Sequence, residues 1–281
     1  MQRTESTFTG VRGTRIVYDV WTPDTASTGL LVLSHGLGEH ARRYDHVIAR
    51  LGELGLTIYA LDHRGHGRSG GKRLELKRWE DFTDDLHELF RIARAAQPDV
   101  KNFLLGHSMG GAIALSYALE HQQELDALML SGPAVVLGDS TPKILIPVGK
   151  ILGKVAPGVP VQSLDSADVS RDPAVVAAYE NDPLVHHGKV PAGLASRFVG
   201  AMESFPARLP SLTLPVLLQH GSDDKLADVA GSRMIAERAG STDLTIEVYD
   251  GLYHEVFNEP ENERVLDDLI RWLSPRVRES G

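Results

Sequence analysis

Residues 102–111 read NFLLGHSMGG, and the rest of the chain is organised around this stretch. A strand-like apolar run breaks here into glycines around a single serine, Ser108, and a run of small and apolar residues follows at 111–119. G-x-S-x-G between a strand and a helix is typical of a nucleophile elbow, a strained turn that lifts the serine hydroxyl off the sheet edge. Five residues alone would also fit an ordinary turn with a capping serine. The flanking elements favour the elbow, so we predict that Ser108 is a nucleophile.

Composition limits the classes of protein to which the chain can belong. Its 281 residues, 42% hydrophobic and 24% charged, suit one large α/β domain with an insertion. With a net charge of −9, the chain lacks the excess of positive charge that binding to nucleic-acid phosphates requires. The absence of cysteine excludes disulfides and thiolate metal sites. No run approaches the roughly 18 apolar residues of a membrane span, and residues 1–10 lack the apolar centre of a secretory signal. We expect a cytoplasmic or peripherally membrane-associated protein.

Strand-like apolar runs alternate with amphipathic helical patterns along most of the chain. This alternation predicts an α/β fold with a mostly parallel central sheet, helices on both faces and ligands at the carboxyl ends of the strands. Between residues 134 and 210 prolines recur, and no strand-like run is followed by a regular helix. We predict a core formed by residues 1–133 and 211–281, with 134–210 inserted as a cap, or lid, over the catalytic edge.

Three further segments follow predicted strands and supply partners for the serine. The run LLVLS at 30–34 ends in HGLGEH, a loop that suits either a tight turn without chemistry or an amide donor. A serine-hydrolase oxyanion hole takes one amide from this loop and one after the nucleophile, which makes Leu37 and Met109 the candidates. A cluster of acids at 223–228 follows the strand that is predicted to begin at Leu214, and His254 follows the last predicted strand. The order serine, acid, histidine is that of the α/β-hydrolases.

Histidines also occur in the glycine-rich loops, at positions 35, 40, 63 and 66. Because they lie on separate loops without cysteine or a ligand spacing such as HExxH, we expect no metal site.

The cap contains a basic and apolar patch at residues 140–161, STPKILIPVGKILGKVAPGVPV. It has three lysines and no acidic residue in an otherwise acidic protein, which suits transient contact with a lipid surface. The alternative is that its apolar residues pack onto the core while the lysines are merely solvated. The lipid interpretation assigns membrane contact to Ile144, Leu145, Val148 and Leu152.

Five segments together resemble the monoacylglycerol lipase family of the α/β-hydrolase superfamily, and the resemblance covers nearly the whole chain. They are HGLGEHARRY at 35–44, LDHRGHGRSGG at 61–71, GHSMGG at 106–111, HGSDDKLAD at 220–228 and GLYHEVFNE at 251–259. By position, the family's nucleophile, acid and base correspond to Ser108, Asp224 and His254, and its oxyanion amides to Leu37 and Met109.

The resemblance also implies a substrate. Glu39 and Arg43 match polar positions beside the family's glycerol-binding pocket, whereas Phe257 stands where mammalian members have a further histidine. The implied reaction is cleavage of monoacylglycerol through an acyl-serine intermediate without a cofactor. Lysophospholipase or general carboxylesterase activity remains open, as does a catalytically silent binding protein of the same fold.

Overall fold

The computed structural model describes residues 1–136, 145–162 and 165–278, with the backbone alone at 145–149 and 162. The strands are Gln2–Thr9 (β1), Arg15–Thr22 (β2), Gly29–Ser34 (β3), Leu56–Leu61 (β4), Lys101–His107 (β5), Ala127–Ser131 (β6), Pro160–Gln162 (β7), Val190–Pro191 (β8), Val216–Gly221 (β9) and Leu244–Tyr249 (β10). The helices are Asp45–Gly52 (α1), Glu80–Ala96 (α2), Met109–His121 (α3), Leu145–Val155 (α4), Pro173–Asn181 (α5), Ala192–Arg208 (α6), Ala230–Arg238 (α7) and Asn262–Arg278 (α8).

Eight strands form the central sheet in the order β1-β2-β4-β3-β5-β6-β9-β10. β1 pairs antiparallel with β2, and β2 pairs antiparallel with β4. All the remaining neighbours are parallel, so the carboxyl ends of β3, β5, β9 and β10 lie along one edge. The predicted fold class, a mostly parallel sheet flanked by helices, is confirmed.

The core consists of two apolar layers, one on each face of the sheet. Side chains of β3 alternate between them: Leu30 and Val32 join the layer beneath α2, α3 and α6, while Leu31 and Leu33 join the layer beneath α1 and α8. Because both faces are covered, the strand is a continuous apolar run rather than an alternating one. This coverage leaves the carboxyl edge as the place where polar residues can gather.

Residues 134–210 hold more regular structure than their prolines suggest. The two-residue strand β8 is followed directly by α6, a helix of 17 residues, so the expectation that no strand here is followed by a regular helix was wrong. Its apolar residues Leu194, Ala201 and Phe205 are buried against the core, and Pro206 falls in the last turn. α4 packs on α6 at Gly153, where an added Cβ would lie 2.4 Å from Ser196 Cβ.

Candidate active site

Ser108 occupies the predicted elbow between β5 and α3. Its backbone has φ 54° and ψ −121°. Residues other than glycine rarely adopt a positive φ, and those that do often lie at functional sites. A Cβ on Gly110 would lie 2.1 Å from the carbonyl oxygen of Ser34, and one on Gly106 would lie 2.5 Å from that of Gly110. Gly110 is therefore required by the close approach of the elbow to the end of β3, and Gly106 by the close approach of β5 to the first turns of α3.

The loop after β3 brings the Leu37 amide to the same edge as the Met109 amide, at the first position of α3. Among the described residues, neither amide donates a hydrogen bond to another group. The loop itself is held by Glu39, whose Oε1 accepts from the Gly36 amide at 2.6 Å and from the Tyr44 hydroxyl at 2.7 Å. Leu37 and Ser108 line one cavity, and Met109 begins α3, whose N-terminal end favours negative charge. The assignment of the Leu37 and Met109 amides to an oxyanion hole stays a prediction.

Asp224 and His254 are joined by a 2.7 Å hydrogen bond from His254 Nδ1 to Asp224 Oδ2. The Asp224 side chain has no solvent exposure, and its Oδ1 accepts from the amides of Leu226 and Ala227, each at 2.8 Å. Asp223 is exposed and bonds to the adjacent Ser222 hydroxyl. Of Asp223 and Asp224, only Asp224 bonds to His254.

The pair is arranged so that the carboxylate stays charged and favours a charged imidazole. Burial opposes ionisation of Asp224, but the His254 charge and hydrogen bonds from His220 and His254 hold the pKa of Asp224 far below its ordinary range. Burial likewise opposes protonation of His254, yet the neighbouring Asp224 charge raises the pKa of His254 above its usual 6.5. This is the electrostatic arrangement that a general base requires.

Glu39 and Arg43 belong to a buried network behind the cavity. Arg43 donates to Glu39 at 2.7 Å, forms a bidentate pair with Glu255 at 2.7 and 2.8 Å, and lies over the Tyr179 ring. Glu39 and Glu255 line the cavity, whereas Arg43 is not among its lining residues. Headgroup contact by Glu39 and Arg43 stays a prediction; in this structure they brace the loop that carries Leu37.

Three of the loop histidines, His35, His63 and His66, are buried. The rings of His35, His63 and His66 cluster with centroid separations of 4.6 to 6.4 Å, and His35 accepts from the His63 amide and bonds to the Gly36 carbonyl. Burial lowers the pKa of each of the three imidazoles, to about 3 for His66, so they stay neutral. They fasten the loop after β3 to the loop after β4.

Within the described ranges, a separate group of metal-ligand type comprises His87 in the middle of α2, His121 at the end of α3 and Glu124 just beyond it. Arg94 already pairs with Glu124 at 2.7 Å, which places a guanidinium where a metal ion would need the carboxylate. The expectation of a protein without a metal site stays a prediction.

The cavity at the strand edge has a polar floor and an apolar wall. Ser108, His107, His254, Glu39 and Glu255 line the floor. The wall is apolar and comes mainly from the segment between β6 and β9: Ala134, Val136, Val169, Val190, Ala195, Phe198, Val199 and Met202, with Leu226 from the loop after β9. The space suits a ligand with one polar and one apolar end.

The predicted lipid-contact residues fall only partly within the described structure. Ile144 lies outside the described residues, and Leu145 and Val148 are on α4 where the backbone alone is described. Leu152 is half-buried, whereas Ile151 and Val155 on the same helix are 62% and 75% exposed. Of the four predicted residues, only Leu152 has a described side chain, and contact of this segment with a membrane stays a prediction.

Several residues of the site were not singled out from sequence. Glu255 and His220 stand inside motifs GLYHEVFNE and HGSDDKLAD, but their roles depend on contacts with Arg43 and Asp224 that no local pattern encodes. His107, beside the nucleophile, packs its ring 4.7 Å from that of His254. Burial lowers the pKa of His107 to about 4, so a neutral ring lies against the base.

Comparison with known proteins agrees with this geometry. Residues 25–261 match the family described as serine aminopeptidase, S33. The chain is 54% identical over 271 residues to a monoacylglycerol lipase of Mycolicibacterium smegmatis, covering 96% of this chain and 97% of that protein. It is 34% identical over 264 residues to the monoglyceride lipase of Rattus norvegicus, covering 93% and 87% of the two chains.

A solved structure of similar sequence has the same fold. The crystal structure of Paleococcus ferrophilus monoacylglycerol lipase matches with a TM-score of 0.83 and 32% identity, over 98% of this chain and all of that one. Sequence, sheet order and relatives agree that the chain belongs to the monoacylglycerol lipase family of the α/β-hydrolases.

Proposed function

We propose that this protein cleaves monoacylglycerol into a free fatty acid and glycerol, with Ser108 as nucleophile, His254 as base and Asp224 as its orienting acid. The observation that carries the proposal is the 2.7 Å bond from His254 Nδ1 to the buried Asp224 carboxylate, at a cavity that Ser108 also lines. This bond fixes the tautomer and leaves Nε2 of His254 to accept the serine proton. The named relatives support the substrate class.

In the first half of the reaction, Ser108 Oγ attacks the ester carbonyl and gives its proton to His254. The carbonyl oxygen becomes an oxyanion that the amides of Leu37 and Met109 stabilise. His254 then returns the proton to the glycerol oxygen, the ester bond breaks, and an acyl-serine remains. In the second half, water gives a proton to His254 as it attacks the acyl carbon. The bond between that carbon and Ser108 Oγ then breaks, His254 returns the proton to Oγ, and the fatty acid leaves. All steps use side chains and amides of this chain.

The cavity supports a single-chain substrate. An acyl chain has only weak van der Waals contacts with each apolar side chain of the wall, but their sum and the removal of water favour its burial. The polar floor accommodates a glycerol headgroup that hydrogen-bonds with carboxylates such as Glu39 and Glu255. We assign the wall to a cap formed by residues 134–210, inserted in a core of residues 1–133 and 211–281.

The cap also provides a surface for transient docking on lipid. Ile151 and Val155 project from α4, and Val159 and Val161 beyond it are also exposed, at 40% and 43%. Lys154 is exposed beside them, whereas Lys150 pairs with Glu203 of α6. A monoacylglycerol resides in an interface, so an enzyme that docks there meets far more substrate than one that waits for free monomers.

The substrate prediction compares monoacylglycerol, diacylglycerol, triacylglycerol and lysophospholipid at matched acyl chain length, with an aminoacyl amide as a further arm. We expect monoacylglycerol to give the highest kcat/KM, because the carboxylates and imidazoles that line the cavity suit a headgroup with free hydroxyls. Ser108→Ala should abolish turnover and fluorophosphonate labelling while leaving the folded state intact, with residual activity roughly a thousandth or less. Preference for lysophospholipid, or for the amide, would reassign the substrate; labelling of Ser108→Ala would remove the nucleophile assignment.

The acid assignment is tested by a matched pair of neighbouring aspartates. Asp224→Asn should lower kcat about ten-thousand-fold, because the amide favours the wrong imidazole tautomer. Asp223→Asn is the control: its side chain is exposed and bonds only to Ser222, so kcat should stay near that of the unmodified protein. The assignment is wrong if the two variants exchange these behaviours.

The pH dependence follows from the raised pKa of His254. The base must be neutral to accept the serine proton, so kcat/KM falls as pH decreases through the pKa of His254. Because Asp224 raises that pKa, the acidic limb of the profile should lie above 6.5. In Asp224→Asn the carboxylate charge is gone, and the limb of the residual activity should move to lower pH. A limb at or below 6.5 in the unmodified protein would contradict this account.

The docking surface is tested by replacing Ile151 and Val155 together with serine. Each apolar side chain of this size contributes roughly 1.5 to 3 kcal/mol when it is fully buried, so vesicle binding should weaken at least about tenfold. Hydrolysis of long-chain monoacylglycerol in vesicles should slow, and that of a short soluble ester should not. Val248→Ser, at an exposed valine of β10, is the control. Equal slowing on both substrates would make the patch structural packing instead.

A further inference from the structure

A second histidine contacts the carboxylate of the predicted triad. His220, the penultimate residue of β9, has no solvent exposure, and its Nε2 lies 3.1 Å from Asp224 Oδ2. The same nitrogen lies 2.9 Å from the carbonyl oxygen of Ala227, and Nδ1 lies 2.8 Å from the hydroxyl of Ser232 on α7. Ser232 is also fully buried. The buried ring therefore lies among three polar partners from the protein.

These partners determine which nitrogen of His220 carries the proton. The carbonyl of Ala227 and an ionised carboxylate can only accept, so the nitrogen facing them, Nε2, must carry a proton. Its hydrogen bond is to the Ala227 carbonyl, and Asp224 Oδ2, the oxygen that also receives Nδ1–H of His254, lies 3.1 Å from the same nitrogen. Nδ1 faces the Ser232 hydroxyl, so both ring nitrogens have polar partners.

We propose that His220 is a positioning residue for the reaction, and that its Nε2–H holds Asp224 Oδ2 where it accepts from His254. The other oxygen of the carboxylate, Oδ1, accepts from the amides of Leu226 and Ala227. Both oxygens of Asp224 therefore have neighbouring donors that restrain the carboxylate. His220 itself does not line the cavity and touches no reacting atom. It acts on Ser108 only through Asp224 and His254.

The contact has two consequences for the base. It restrains rotation of the carboxylate, because Oδ2 cannot leave His254 without also leaving His220. It also places the positive end of an N–H dipole beside Oδ2, which weakens the hold of Asp224 on a protonated His254. Loss of the His220 donor should therefore reduce the rate and shift the protonation of His254 toward higher pH.

Replacement by glutamine and asparagine separates this role from packing. The amide nitrogen of glutamine extends about as far as Nε2 and can donate to Asp224, whereas that of asparagine extends only as far as Nδ1, toward Ser232. We expect His220→Gln to keep kcat within a few-fold, and His220→Asn and His220→Leu to lose about tenfold or more, the cost of a hydrogen bond to a charged group. KM should stay unchanged in all three.

The measurements are kcat per active site, titrated with a fluorophosphonate, together with Tm and the pH profile of kcat/KM. The acidic limb of His220→Asn and His220→Leu should move to higher pH, and that of His220→Gln should not. In an Asp224→Asn background, His220→Leu should lower kcat no further, because the residue through which it acts is already disabled. If His220→Leu does not fold, the glutamine and asparagine variants decide.

The proposal is overturned if glutamine and asparagine give equal kcat, or if His220→Leu costs its full factor in the Asp224→Asn background. Either result would make His220 a packing residue of the loop after β9. The inference rests on the proposed triad, and the two fail differently. Activity retained in Asp224→Asn removes the triad itself, whereas an inactive Asp224→Asn beside fully active His220 variants removes only the role of His220.

Discussion

The positive φ of Ser108 is the constraint on which the rest of the site depends. A non-glycine residue in this region costs on the order of 1 to 3 kcal/mol and persists only where the surroundings enforce it. Here the enforcement comes from both sides: the Ser108 amide donates to the Ser131 carbonyl on β6, and the Ser108 carbonyl accepts from Ala134. The elbow is pressed against the end of β3 at Gly110. That contact also sets the distance between the nucleophile and the loop that carries Leu37, so one packing arrangement positions both.

Behind this edge, the site is built on buried charge that is compensated locally. Arg43 sits between the carboxylates of Glu39 and Glu255, and Tyr44 donates to Glu39 as well. Burial opposes ionisation of Glu39, but the Arg43 charge and the hydrogen bond from Tyr44 outweigh it and hold the pKa of Glu39 below its ordinary value. Removal of one partner from such a group leaves an uncompensated buried charge, which is far more costly than removal of an exposed pair. The loop that carries Leu37 is thereby braced by residues, none of which can be replaced alone without a large loss of stability.

Sequence predicted the elements and residues whose signals are local. The elbow, the order of serine, acid and histidine, and the parallel sheet follow from glycine spacing and apolar runs, and the structure has them at the predicted places. It did not predict α6, because recurring prolines obscured a helix whose buried stripe of Leu194, Ala201 and Phe205 is visible only once the core is known. Nor did it predict β1, a polar edge strand whose stability comes from pairing with β2. Which side of α4 is exposed, and which groups His220 contacts, depend on how other segments of the chain pack against them. A local sequence pattern does not contain that information.

The segment proposed as a cap contacts the loop that carries Leu37. The His186 amide donates to the Gly38 carbonyl at 2.7 Å, next to Leu37, and His40 bonds to Asp182 at 2.8 Å. Residues 182–186 thus hold the same loop that Glu39 braces from the core side. Because Tyr179 and Val190, which flank these residues in sequence, line the cavity, part of its apolar wall and the loop that carries Leu37 are attached to one connected structure. A displacement of this segment would therefore alter the shape of the apolar wall and the position of the Leu37 amide together.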